Sequence, residues 1–156
     1  MARVVETFNQ KSRPFPIADG VSLQDGWLVG LNSSRRLVKV AVDSLIEPIG
    51  ILWIKNRGHK GNVLTGNAPG TVLGDVIRDA RVYYSEIVSQ TIGADVYAGQ
   101  DGANGIPVTT LPSAPSDIYP IGFVDNSDAA GTMMDLSVRP SGLARQTAAN
   151  TTVAFG

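Results

Sequence analysis

The apolar positions of this chain fall in short runs parted by Gly, Pro, Asn, Asp and Ser, a spacing that predicts strands and turns rather than long helices. Residues 36–43 (RLVKVAVD) alternate: Val38, Val40 and Val42 share one face, while Leu37, Lys39 and Ala41 take the other, the period of a half-buried strand. Residues 49–55 (IGILWIK) are almost continuously apolar, as in a strand covered on both faces. Pro48 precedes that run, where a strand begins without losing a ladder bond, and Gly50 inside it predicts a bulge or a close backbone approach. Residues 66–70 (GNAPG) read as a turn or exposed loop, and residues 111–120 (LPSAPSDIYP) as a Pro/Ser loop. Residues 80–92 (ARVYYSEIVSQTI) are ambiguous. Tyr83, Ile87 and Val88 fit a helical stripe, but the β-branched and aromatic content favours strands, which leaves room for one short helix at most.

A repeat organises these elements. PIGIL at 48–52 returns as PIGFV at 120–124. Each copy is preceded by an acidic residue, an apolar stretch and a Gly (DGWLVG at 25–30, ADVYAG at 94–99). A polar turn and a second apolar run follow in each (LVKVAV at 37–42, IPVTTL at 106–111). After PIG comes another polar turn and a closing apolar segment, VLT at 63–65 or MMDLSV at 133–138. Four ordered correspondences point to two similar β-units, about 21–65 and 93–138. Pro120 and Gly122 then share the strand-entry and kink roles of Pro48 and Gly50. The expected fold is mainly β, a Gly/Pro-rich β-sandwich or β-barrel.

Length adds that 156 residues suit one domain, here 17–140. Residues 1–16 read as an extended N-terminal arm, because Pro14 and Pro16 fix φ and remove donors. Residues 141–156, rich in Ser, Thr, Ala, Asn and Gln, read as a flexible or extended C-terminal tail. No apolar run approaches the ~18 residues of a membrane-crossing helix, so no membrane partner is expected. The N-terminal stretch also lacks the apolar centre of a signal peptide. With no cysteine, disulfides, thiolate nucleophiles and Cys-based metal sites are excluded, and a reducing cytoplasm is a compatible place of synthesis.

Net charge is −1 but unevenly placed: residues 1–81 carry eleven Lys/Arg against seven Asp/Glu, and residues 82–156 carry two against seven. Such asymmetry can steer assembly with a partner or between copies. The basic residues are scattered and the pI is about 5.7, which does not indicate a nucleic-acid partner. Candidate chemistry is sparse. His59, the single histidine, sits in a basic turn without companion ligands for zinc and without a Gly-x-Ser-x-Gly elbow to supply a serine nucleophile. The carboxylates of Asp25, Asp43, Glu47, Asp75, Asp79, Glu86 and Asp95 are isolated in sequence, and QDGANG at 100–105 lacks the acidic ladder of a calcium loop. No catalytic, cofactor or metal residue is nominated, and no enzymatic activity is expected.

The succession ADVYAG, DGANGIPVTT and YPIGFVDNSDAAGTMMDLSV resembles the small capsid decoration (cement) proteins of tailed bacteriophages. The likeness falls on residues 95–99, Thr109, Thr110, residues 121–124, residues 129–131 and residues 136–138. It implies a β-core, often a homotrimer, that is made in the host cytoplasm, docks on the outer surface of an assembled head and binds the major capsid protein. On that reading Val4, Val5, Phe8 and Phe15 anchor an arm that orders on binding, while Arg3, Lys11 and Arg13 meet acidic capsid surface. The rival expectation is a carbohydrate- or receptor-binding β-module using Trp27 or Trp53, or another virion structural protein.

Overall fold

A computed structural model describes residues 1–8, 11–40, 46–55, 62–99, 105–110 and 120–139, and the backbone of 144–147 and 151–154. Fourteen strands and no helix occur among them. The first sheet joins β1 (Ala2–Thr7), β9 (Asp79–Tyr84), β12 (Thr132–Ser137), β11 (Gly122–Ser127) and β10 (Asp95–Val96) in that order. The second joins β2 (Arg13–Pro16), β8 (Leu73–Ile77), β6 (Gly50–Trp53), β4 (Leu28–Leu31) and β5 (Leu37–Lys39). All pairings within both are antiparallel. Two small sheets pair β3 (Ser22–Gln24) with β7 (Val63–Thr65) and β13 (Ala144–Thr147) with β14 (Thr151–Ala154). The protein is therefore mainly β, a sandwich of antiparallel sheets.

Burial patterns separate the two large sheets. In β9 and β12 buried and less buried positions alternate, so the first sheet keeps one face for the core and one for solvent. In β4 and β6 three successive residues are buried. Ile51 enters one core with Val4, Val82, Tyr84, Met134 and Leu136 of the first sheet. Leu52 turns the other way, into a second core with Leu23 and Leu64 of the β3–β7 pair. The second sheet is thus the middle of three layers, which is why IGILWI has no polar alternation. The chain passes between the large sheets at Arg78, the one residue between β8 and β9.

Several expectations are corrected. Residues 1–16 are not a free arm. Ala2 and Val4 are buried and β1 pairs along β9, because alternating apolar positions fill the core face of a sheet edge. Residues 13–16, with the two prolines that pointed to an arm, form β2 and run against β8; Pro14 and Pro16 are tolerated because β2 has a neighbour on one side only. Of IPVTTL, the described residues, 106–110, contribute only an isolated bridge, Val108 to Tyr97, since Pro107 cannot donate to a ladder. In the tail the backbone of β13 pairs with that of β14 and, among the described residues, with no other strand, a pairing that suits its β-branched Thr and Val residues. Residues 85–93 form turns rather than a continuing strand or a helix.

The PIG segments hold like positions. β6 lies between β4 and β8, and β11 between β10 and β12. Gly50 is opposite Val29, and Gly122 opposite Val96. A Cβ at Gly122 would fall on the backbone oxygen of Asp135, and one at Gly50 would lie 2.5 Å from that of Ile77. In the last correspondence the strand beside β6 is β8, while VLT pairs with β3 instead. With Leu64 as its one buried residue, that short strand caps the second core.

Candidate functional site

Two surfaces gather functional side chains. The first is the solvent face of the first sheet. Registers β1–β9, β9–β12, β12–β11 and β11–β10 set Glu6, Arg81, Asp135, Phe123 and Asp95 in one row across five strands. The Arg81 guanidinium grips Asp135 with two hydrogen bonds, Nε to Oδ1 at 2.8 Å and Nη2 to Oδ2 at 3.3 Å. It also reaches Glu6 at 3.3 Å and Asp125 at 3.6 Å. The hydrogen bond to Asp135 is the main cause that raises the Arg81 pKa further, so this residue stays a fixed cation. Phe8 lies beside it, its ring 5.5 Å from the guanidinium carbon. Val5, Phe8 and Phe123 are 46 %, 50 % and 46 % exposed, apolar groups set around a charged centre.

The second surface is a cleft of about 780 Å³ where the β8–β9 ribbon crosses between sheets. Lys11, Arg13, Arg35, Arg78 and Arg139 line it, with Asp79 the one carboxylate among its described residues; Phe15, Leu31, Ile49 and Val76 supply an apolar lining. Asp79 is taken by Arg139 at 3.1 Å. Arg13 stacks over Phe15. Arg13, Arg35 and Arg78 make no ion pair among the described residues. Arg35 sits at φ 59 in the β4–β5 turn, a left-handed conformation uncommon for a long side chain. Asn32 Oδ1 holds that turn by accepting hydrogen bonds from the backbone N–H of Ser34 and Arg36, both at 3.0 Å.

The interior holds a polar knot beneath the first sheet. Asp25 is fully buried. Its Oδ2 accepts from Val4 N–H and its Oδ1 from Ile54 N–H, each at 2.8 Å, so one carboxylate ties β1 to the segment after β6. Next to it, the Tyr84 hydroxyl donates to Gly26 O at 2.5 Å. Burial, with smaller contributions from Asp25 and Glu86, pushes the Tyr84 hydroxyl pKa well up.

Of the residues nominated from the sequence, Val5 and Phe8 lie on the exposed face of the first sheet, and Arg3 stacks over Tyr83 there at 5.7 Å. Val4 points inward and is 5 % exposed, so it is a core residue and not a partner contact. Lys11, Arg13 and Phe15 belong to the cleft. Sequence reasoning missed Arg35, Arg78 and Arg139, which are far apart along the chain; the basic excess of residues 1–81 was a signal for Arg35 and Arg78, and nothing pointed to Arg139. Asp25 was read only as one of several isolated carboxylates, since its backbone partners, Val4 and Ile54, lie far from it along the chain. His59, Asp43 and residues 111–119 lie outside the described residues, as does QDGANG up to residue 104. Among the described residues no group of three His, Cys, Asp or Glu could hold a metal ion. Compared with known protein families, curated proteins and solved structures, the chain has no significant match in any of the three.

Proposed function

We propose that this chain is a capsid decoration (cement) protein: a binding module that docks on the outside of an assembled phage head, grips the major capsid protein through non-covalent contacts and stabilises the shell. The observation that carries the reading is the solvent face of the first sheet, where exposed Val5, Phe8 and Phe123 surround the Arg81 cluster. Aromatic residues around an arginine on a sheet are the composition of a protein interface. Modest contacts of this kind, repeated over a lattice of identical sites, gain by multivalency. A homo-oligomer, a trimer above all, would multiply the gain. The likeness of residues 94–138 to such proteins supports the same assignment.

A sugar-binding module is less well supported. Trp27 packs against both cores and Trp53 against the one between the large sheets, and Lys55 lies over the Trp53 ring at 4.9 Å. Both rings are thus partly taken up by packing within the chain.

The test mixes purified protein with undecorated heads and counts bound copies per shell by mass. A count matching the lattice is expected, and the Phe8→Ala/Phe123→Ser double variant, folded by circular dichroism, should occupy fewer than a tenth of the sites (roughly 1.4 kcal/mol or more lost per site). Absence of pelleting by the wild-type chain, or full occupancy by the double variant, rejects the assignment.

A further inference from the structure

The cleft at the sheet crossing is distinct from the aromatic face and has its own chemistry. After Arg139 pairs with Asp79, Arg13, Arg35 and Arg78 remain, among the described residues, as positive charge around an opening lined by Phe15, Leu31, Ile49 and Val76. A volume of about 780 Å³ lies within the range of ligand sites, about 300–1,000 Å³, and holds a short chain segment rather than a folded domain. The apolar lining is poor company for a bare polyanion. The neighbouring sheet face, with Glu6, Asp125 and Asp135 around one arginine, repels a long one. An occupant that satisfies both the arginines and the apolar lining carries carboxylates interspersed with aliphatic side chains.

We propose that this cleft binds a short acidic, aliphatic segment of a partner protein, with Arg35 and Arg78 as the principal carboxylate contacts. Planar guanidinium groups suit that task, since they donate two parallel hydrogen bonds to one carboxylate. Arg35 is held toward the cleft by a turn whose φ of 59 would suit glycine better, so a charge stands where backbone ease alone would place none. The proposal rests on the reading that the chain works by gripping a protein surface, and adds a second, chemically distinct contact to it.

The experiment needs no shell, so its failure and that of the docking reading are separable. A short fluorescein-labelled peptide alternating Glu with Val is titrated with the full chain, alongside a Lys/Val peptide and a labelled oligothymidylate. The Glu/Val peptide should bind, more weakly as salt rises, and the other two should not. Affinity should fall roughly tenfold or more in Arg35→Glu/Arg78→Glu. It should fall measurably in Arg35→Gly, where the turn is relaxed and misfolding is not the cause, and stay unchanged in Lys55→Ala. No binding of the Glu/Val peptide by folded protein, equal binding of the Lys/Val peptide, or tighter binding of the oligonucleotide overturns the proposal. So does an unchanged affinity in both arginine variants. Sedimentation of the chain alone completes the test: self-association abolished by the arginine variants, without peptide binding, would assign the cleft to a second copy instead.

Discussion

At the scale of single residues, the Asp25 carboxylate does more for this fold than its place before an apolar run suggests. It is fully buried and bonds the N–H groups of Val4 and Ile54, which belong to different layers. Asp25→Ala leaves two buried donors without those acceptors, at about 1–3 kcal/mol each. A loss of about 2–5 kcal/mol is therefore expected in urea unfolding, with Asp25→Asn milder because it keeps one acceptor. Tyr84 supplies a pH signature. Its raised pKa means that the folded state keeps the phenolic proton when the unfolded chain, titrating near about 10, has released it. Stability from this group is complete below about pH 10 and drains away as pH rises beyond it. Tyr84→Phe should cost about 1–3 kcal/mol at neutral pH, through the unanswered Gly26 carbonyl. It should also narrow the gap to wild type at about pH 10.5. Urea midpoints of both proteins at the two pH values measure this, and a constant gap would contradict it.

At the scale of elements, the N-terminal strands change what a truncation means. Were residues 1–16 an arm, a chain beginning at Ile17 would keep its core. Instead β1 and β2 are the edges of the two large sheets, and they run along the β9 and β8 halves of one ribbon. Removing them strips Ala2 and Val4 from the core, at about 1.5–3 kcal/mol for Val4 alone, and takes the Val4 N–H away from Asp25 Oδ2. The truncated chain should lose its cooperative melt, and a sharp transition near the wild-type temperature would refute that. Here the difference between legible and illegible structure is physical. The apolar run of β6 announced burial on two sides, and the Pro–Ile–Gly segments announced strand entry, because those signals are local. Pairing is not local. Val4 and Val5 read equally well as anchors of a loose arm until β9, some seventy-five residues away, supplies the partner that turns one inward. The cleft was hidden for the same reason, since no spacing rule connects Arg35, Arg78 and Arg139.

At the scale of the whole molecule, layering and the β8–β9 crossing predict how the protein opens. The second sheet is covered by the first on one side and by the β3–β7 pair on the other. Within it β6 and β8 each have neighbours on both edges, whereas β5 has one. Slow exchange requires both a buried amide and a pairing that survives until global unfolding. The slowest amides should therefore be those of Ile51, Leu52, Val76 and Ile77, with β5 faster. Val82 and Tyr84 should exchange at the same slow rate as Ile77, because a single residue joins the two halves of the ribbon and both halves feed the core between the large sheets. One sheet cannot part from the other without tearing that strand from its neighbours. Native-state hydrogen exchange in low denaturant tests the coupling directly. A common dependence on denaturant for β8 and β9 amides is expected, and a separate, shallower opening of the first sheet would show that the layers act as independent units.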